Sequence, residues 1–169
     1  MRPVLSTLLA AGLLAASVGP ALAESCTRPA EKVAFDIAGL KSQLMVTAIA
    51  CRVQDKYNLF VTRFRGDLLR HENALDAYFR RANGRRAQQQ HDDYITSLAN
   101  SQSQNAIKSG TLFCSQNIGM FDEVLALPNG TYLPGYAAGK GLVQPVSLID
   151  CPAVPLKRTR TAASSTKKS

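Results

Sequence analysis

The sequence predicts an all-α fold: a four-helix up-down bundle around a long central helix, with an irregular Pro/Gly-rich C-terminal segment packed on it. Two observations carry this prediction. Apolar residues recur at helical spacing through most of the chain, and short connections that contain glycine separate the helical segments. Because short connections favour antiparallel neighbours, an alternation of up and down helices is the simplest topology.

The central helix is predicted over residues 37–65, with Asp36 as its N-cap and Gly66 at its C-terminal end. Its apolar residues form two adjoining stripes, of which one contains Leu40, Leu44, Ala48 and Cys51 and the other contains Val46, Ile49, Val53, Phe60 and Phe64. A surface this broad places a helix in the middle of a bundle. The alternative is a buried strand over residues 44–53, but the helical periodicity continues on both sides of that segment.

Three further helices are predicted to pack around the central one. The second covers residues 67–82, the third covers residues 87–109, and the fourth covers residues 112–125. Gly84 and Gly110 end the second and third helices, because glycine interrupts helical periodicity at little steric cost.

The sequence changes character after Leu127, where prolines and glycines become frequent. This segment leaves room for a short helix over residues 136–140. The apolar residues between 142 and 149 are expected to pack across the bundle, where Cys151 would fix them.

The N-terminus has the features of a secretory signal peptide over residues 1–23. These features are a basic start at Arg2, an apolar run over residues 4–18 and small residues before a cleavage point after Ala23. A membrane anchor is the rival interpretation, but the run is shorter than the roughly 20 residues that a spanning helix needs. A lipoprotein signal would need small apolar residues directly before Cys26. We expect a mature protein that is periplasmic or secreted and has no transmembrane segment.

Positive charge is concentrated at the C-terminus. The whole chain has a formal net charge of +8, whereas residues 24–156 hold 14 basic and 12 acidic residues. The remaining segment has no acidic residue and contains Lys157, Arg158, Arg160, Lys167 and Lys168. The sequence therefore predicts a disulfide-stapled helical domain over residues 24–156, followed by a disordered basic tail over residues 157–169.

The basic tail indicates an acidic partner, such as anionic lipid headgroups, a surface polymer or an envelope protein. The alternative is a solvated tail that only improves solubility. Specific nucleic-acid binding is not expected, because the folded part is nearly neutral and Tyr57, Tyr78 and Tyr94 fall at core-facing or mixed helical positions.

Four cysteines remain in the exported chain, and none of them belongs to a Cys-x-x-Cys motif. Zinc ribbons, thioredoxin-like redox sites and c-type haem attachment therefore lack their signature. An even number of cysteines in an oxidising compartment favours two disulfides, for which three connectivities are open.

The connectivity that we favour joins Cys51 to Cys114 in the core and Cys26 to Cys151 across the ends of the helical body. One geometric objection stands against it. If the central helix continues to residue 65, Cys114 lies level with the end of that helix, several residues beyond Cys51. The helices must then slide or cross to bring the two Cα atoms within roughly 7 Å.

Five polar residues are candidates for a pocket between the helices: Asp55, Asn58, His91, Tyr94 and Gln102. In a continuous central helix, the first two lie on the stripe that faces the bundle, and the other three share one face of the third helix. The functional interpretation is a small polar pocket or ligand cleft. The structural interpretation, which we favour, is a network of interhelical hydrogen bonds, because buried polar groups need partners.

The sequence indicates neither a metal site nor a cofactor. Adjacent residues of a helix point about 100° apart, so His91 and Asp92 do not converge on one ion, and neither do His71 and Glu72. A composite site that joins His91, Asp55 and His71 from different helices is conceivable. No serine elbow and no phosphate-binding glycine loop is present.

Four sequence runs resemble small exported four-cysteine helical proteins of alphaproteobacteria, a group without an established activity. They are Leu-Met-Val-Thr-Ala-Ile-Ala-Cys (44–51), Asp-Lys-Tyr-Asn-Leu-Phe-Val-Thr-Arg-Phe (55–64), His-Asp-Asp-Tyr-Ile-Thr-Ser-Leu-Ala-Asn (91–100) and Leu-Phe-Cys (112–114). The resemblance spans residues 35–150. It implies an exported helical domain with paired cysteines, and it supplies no catalytic residue.

The functional prediction is a non-enzymatic periplasmic protein, an accessory or partner-binding protein of the cell envelope. The alternative is a small periplasmic hydrolase or metal-dependent enzyme that uses Asp55, His91 and Asp92 in an interhelical polar cluster. The alternative depends on the density of polar groups along otherwise apolar helices.

Overall fold

The computed structural model describes residues 26–152, and this part of the chain is all-α, as the sequence predicts. Its helices are α1 (Pro29–Cys51), α2 (Gln54–Arg63), α3 (Arg65–Asn83), α4 (Ala87–Ser109), α5 (Leu112–Asn117), α6 (Gly119–Leu125) and α7 (Leu133–Gly139). Short 3₁₀ turns cover Gly84–Arg86 and Gly130–Tyr132. The predicted signal peptide and basic tail lie outside the described residues.

Helix α1 is the element that the others share. It contacts α2, α3, α4, α5 and α7, and Leu40 and Leu44 on it are completely buried. Although α1 is long and apolar enough to cross a membrane, 61% of its most apolar 18-residue window is buried inside the structure. Burial of this extent is typical of the core helix of a folded domain.

Helix α1 begins earlier than the predicted cap at Asp36. Pro29 occupies its first turn, where the fixed φ of proline suits a helix and its missing N–H is not needed. The Arg28 N–H donates to Glu31 Oε2 at 2.7 Å, which satisfies one of the amides before the first turn. Asp36 lies inside the helix and pairs with Lys32 at 3.3 Å.

The prediction of one continuous helix over residues 37–65 is wrong, because α1 ends at Cys51. Arg52 adopts the left-handed conformation, with φ 57° and ψ 43°. The Val53 N–H then donates to the Ala48 carbonyl at 2.9 Å, which closes the turn in the manner of a Schellman motif. The chain resumes as α2 at Gln54, so the apolar stripes of α1 do not continue along α2.

This break removes the geometric objection to the predicted disulfides. The end of α1 comes level with the start of α5, and Cys51 is bonded to Cys114 with a Cα–Cα distance of 5.6 Å. Cys26 is bonded to Cys151 with a Cα–Cα distance of 4.8 Å. Both predicted pairings are therefore confirmed, and they indicate an oxidising, extracytoplasmic compartment. In the chain-entropy model the Cys51–Cys114 loop alone is worth about 4 kcal/mol and the Cys26–Cys151 loop alone about 5 kcal/mol, and nested loops add less than their sum.

Side-chain pairs fix the directions of the main helices. Lys41 Nζ lies 2.8 Å from Glu72, and Glu31 lies 2.6 Å from Arg81, so α1 and α3 are antiparallel. Contacts from Phe35 to Tyr94 and from Gly39 to Gln102 run in the same order along both helices, so α1 and α4 are parallel.

The predicted third helix is confirmed at its bounds, and the predicted second helix is two residues longer at its start and one at its end. The predicted fourth helix is instead two short helices, α5 and α6, that meet at Ile118. Asn117 and Gly119 flank this junction, and the Asn117 amide donates to the Phe113 carbonyl at 2.8 Å. Both residue types favour helix ends over helix interiors.

Replacement of Arg52 by glycine tests the strain in this turn. A residue with a Cβ pays about 1–2 kcal/mol to adopt the left-handed conformation, and glycine does not pay this cost. Part of the gain is lost, because glycine makes the unfolded state more flexible. Arg52→Gly is therefore expected to raise the free energy of unfolding by about 1 kcal/mol. Urea denaturation measures this difference. Arg52→Ala is the matched control, since it removes the same side chain and keeps Cβ; equal stability of the two variants would contradict the assignment.

The ion pair of Glu31 and Arg81 predicts a pH dependence. Partial burial alone raises the pKa of Glu31, but hydrogen bonds from Arg81 and from the Arg28 amide outweigh it and hold that pKa below its ordinary value. The ion pair therefore stabilises the fold fully above the pKa of Glu31 in the unfolded chain, about 4.3. This stabilisation is lost as the pH falls through the lower pKa of Glu31 in the folded protein. Glu31→Gln is expected to lower the free energy of unfolding at pH 7 by about 1.5 kcal/mol.

Urea denaturation at pH 7 and at about pH 3 checks this linkage, because the deficit of Glu31→Gln should shrink at the lower pH. Asp122→Asn is the control. Asp122 pairs with Lys56 on the exposed surface, so its loss should cost a few tenths of a kcal/mol. A Glu31→Gln deficit that is the same at both pH values would refute the predicted linkage.

Candidate functional site

A cavity of about 220 Å³ lies between α1, α3 and α4, with one residue of α2 at its edge. We call it the α1–α3–α4 cavity. Helix α1 contributes Ala34, Ile37, Ala38, Lys41, Ser42 and Met45. The other helices contribute Tyr57, Leu68, His71, Glu72, Leu75, Ile95 and Ala99. Most of these walls are apolar.

Small residues explain why the helices leave this space. Ala38 and Ser42 follow each other at a spacing of four on α1, so they share one face, and Ala99 faces the same cavity from α4. Protein interiors are otherwise filled to the density of organic crystals. Three short side chains that face one cavity therefore leave a void between helices that are in contact elsewhere.

The polar groups of this cavity include an ion pair, a phenol and an imidazole. Lys41 and Glu72 are paired at 2.8 Å, with their side chains 38% and 44% exposed. Burial raises the pKa of Tyr57, while the Lys41 charge opposes the rise and the Glu72 charge adds to it. Burial lowers the pKa of His71, which favours its neutral form.

Ser42 is a buried polar residue in the wall of this cavity. Its side chain is only 9% exposed, and its Oγ has no hydrogen-bond partner in the described part of the chain. A buried hydroxyl without a partner costs about 1–3 kcal/mol, so native proteins rarely keep one without a reason.

A second cavity, of about 350 Å³, lies between the C-terminal end of α3, the N-terminal half of α4 and the C-terminal segment. Its walls include Phe35, Tyr78, Phe79 and Tyr94, whose rings pack edge-on or tilted at centroid distances of 4.9 to 6.0 Å. Residues 145–149 of the C-terminal segment form the opposite wall.

A hydrogen-bond network holds the C-terminal segment against α1 and α4. The Tyr94 hydroxyl donates to Gln144 Oε1 at 2.9 Å, and Gln144 Nε2 donates to the Phe35 carbonyl at 3.1 Å. Gln102 Nε2 donates to the carbonyls of Gly39 at 3.1 Å and Val143 at 3.3 Å. Burial raises the pKa of Tyr94 far above its ordinary value, so the phenol stays protonated and keeps donating.

His91 is held apart from this network. Its Nδ1 lies 2.8 Å from Asp76 on α3, and its ring stacks on Phe79 at a centroid distance of 5.2 Å. The other ring nitrogen, Nε2, is buried and has no hydrogen-bond partner among residues 26–152. All four cysteines are in disulfides, so no thiol nucleophile stands beside it.

The five predicted pocket residues do not form one pocket. Asp55 and Asn58 are exposed on α2, because the break after Cys51 takes them off the buried stripe. His91, Tyr94 and Gln102 are buried on α4, but they bond to different neighbours. Gln102 makes an interhelical hydrogen bond, as the structural interpretation expects, whereas Tyr94 bonds to Gln144 of the non-helical C-terminal segment.

The polar cluster of the enzymatic alternative is not assembled either. Asp92 is exposed, like Asp55, and neither cavity includes Asp55 or His91 in its walls. Within residues 26–152, no group of three or more His, Cys, Asp and Glu side chains is placed to hold a metal ion.

Sequence reasoning missed Gln144, Gly39 and Asp76. Gln144 had a detectable signal, since it is a polar residue inside the apolar run of residues 142–149. Gly39 and Asp76 had none, because their partners come from distant parts of the chain.

No protein-family model, curated protein or solved structure matches this chain. The resemblance to exported alphaproteobacterial proteins stays a prediction from the four sequence runs.

The contact between Gly39 and the C-terminal segment predicts a non-additive pair of substitutions. A Cβ at position 39 would lie 2.6 Å from Gln144 Nε2, so Gly39→Ala should displace that amide from the Phe35 carbonyl. The expected loss is about 1–2 kcal/mol of unfolding free energy. In a Gln144→Ala background the obstacle is gone, and Gly39→Ala should be neutral or slightly stabilising because alanine favours helix.

A double-mutant cycle by urea denaturation measures this coupling. Gly66→Ala, which has open space around its Cβ on α3, is the control for helix propensity alone. Equal effects of Gly39→Ala in both backgrounds would show that the close approach does not constrain the segment.

Proposed function

We propose that this chain is a non-enzymatic accessory or partner-binding protein of the cell envelope. In this proposal it is exported by cleavage near Ala23, and it acts in the periplasm or outside the cell. The disulfides of the folded body support an extracytoplasmic location, and the resemblance of residues 35–150 to exported helical proteins is in keeping with it.

The non-enzymatic part of the proposal depends on one observation: buried polar side chains of α4 are bonded to neighbouring parts of the fold. His91 pairs with Asp76, and Tyr94 and Gln102 tie the C-terminal segment to the helices. Groups that hold a fold together in this way are constrained by their partners. The bonds that these groups make contribute to stability, and no reaction is needed to account for those bonds.

The attachment that we propose runs through the basic tail. Residues 24–156 carry a net charge of +2, whereas residues 157–169 add five positive charges without a negative one. Each Lys or Arg near an anionic surface contributes about 1 kcal/mol. Five of them support weak attachment to an acidic surface of the envelope, and salt screens such attachment.

The outer disulfide, Cys26–Cys151, fixes the part of the chain that precedes the tail. Cys151 is bonded to Cys26, and the Cys151 N–H donates to the Thr27 carbonyl at 2.9 Å. The basic residues therefore follow a chain position that is fixed to the start of α1. A partner bound to the tail would hold the folded body by this one end.

Co-sedimentation with vesicles tests the attachment. The mature protein is expected to bind vesicles that contain anionic lipid at low salt and to dissociate at about 0.5 M salt. Loss of residues 157–169 should abolish the binding. A variant with glutamine at all five basic tail positions is the matched control, since it keeps the length of the tail. Equal binding by the full and the shortened protein would disprove attachment through the tail.

A further inference from the structure

The α1–α3–α4 cavity has the size of a site for a small ligand, and it is partly open to solvent at Lys41 and Glu72. Its volume of about 220 Å³ exceeds the roughly 150 Å³ of an engineered apolar cavity that takes up benzene. The walls come from three packed helices, and Ile37, Met45, Leu68 and Leu75 make them apolar. A single ring or a short acyl chain fits this volume, and its burial would be favourable.

Three polar side chains at this cavity, those of Lys41, Tyr57 and His71, have an N–H or O–H that could donate to a ligand. The Lys41 ammonium has three N–H groups, and Glu72 takes one of them. The Tyr57 hydroxyl makes no hydrogen bond within the described residues, and a neutral His71 retains one ring N–H. Glu72 has acceptors and no donor, and its Oε2 already accepts from Lys41. These groups therefore suit an acceptor with negative charge better than an ammonium group.

We propose that the α1–α3–α4 cavity binds a small monocarboxylic acid, with its ring or short acyl chain between the helices and its carboxylate at Lys41. The charge-assisted bond to Lys41 orients the ligand, and the apolar walls supply most of the affinity. This binding is independent of attachment through the basic tail.

Titration by NMR and calorimetry tests the proposal on the mature protein. The probes are benzoate and hexanoate, compared with benzyl alcohol, hexanol, benzylamine and hexylamine. The carboxylates are expected to shift the resonances of residues that line the cavity and to bind at least tenfold more tightly than the alcohols and amines, a difference of about 1.4 kcal/mol. Absence of carboxylate binding, or equal binding of all six probes, would overturn the proposal.

Substitutions locate the binding. Lys41→Gln should weaken carboxylate binding roughly tenfold and leave the alcohols unchanged, since it removes the charge and keeps a polar side chain that is one atom shorter. Lys108→Gln, on the exposed end of α4, is the matched control and should change nothing. Ala99→Leu, which fills the cavity from α4, should abolish binding of both carboxylates. If Ala99→Leu binds like the unaltered protein, the ligand lies elsewhere.

One further variant separates this site from the tail. The protein without residues 157–169 should bind the carboxylates with unchanged affinity, because the cavity lies within the described helices. Loss of carboxylate binding in that variant would assign the effect to the tail and overturn the proposal for the cavity.

Discussion

The left-handed turn at Arg52 is the constraint on which the remaining structure depends. It ends α1 immediately after Cys51, so this cysteine reaches Cys114 at the start of α5. The same turn redirects the chain into α2, which places Asp55 in solvent and brings Tyr57 to the edge of the α1–α3–α4 cavity. A continuous helix would separate the two cysteines. One backbone conformation therefore determines both the inner disulfide and which side chains the cavity receives.

Small residues along α1 serve two purposes on neighbouring faces of the helix. At Gly39 the absence of a side chain admits the C-terminal segment, whose Gln144 amide approaches within hydrogen-bonding range of the helix backbone. At Ala38 and Ser42 the short side chains leave a gap toward α3 and α4. The first face is closed by a segment of the chain itself and the second stays open. Residue size along a single helix thus separates a structural contact from a candidate binding site.

The features that the sequence predicts well are those with a local or compositional signal. Helical periodicity bounded by glycine predicts α4 at its observed ends, and the number and context of the cysteines predict two disulfides. The end of α1 carries no such signal, because neither glycine nor proline stands at Arg52. The prediction of a polar pocket is wrong for the same reason, because it extends the central helix past Cys51 to include Asp55. Contacts such as that of Gln144 with Phe35 join positions over a hundred residues apart, and the spacing of apolar residues within a helix does not predict them.

The two proposed interactions act on different parts of the molecule, and this difference has a thermodynamic consequence. The cavity lies among α1, α3 and α4, whose contacts form the body of the fold. A ligand there binds the folded state alone, so it would stabilise that state by about 2.7 kcal/mol at a concentration one hundred times its Kd. Attachment through the tail depends on charge and salt. Coupling between them would need an element with two arrangements that both sites bias. The outer disulfide fixes Cys151, which precedes the tail by six residues, to Cys26 beside the first turn of α1. Because no element with two arrangements joins the two sites in this proposal, ligand binding and attachment are expected to be additive.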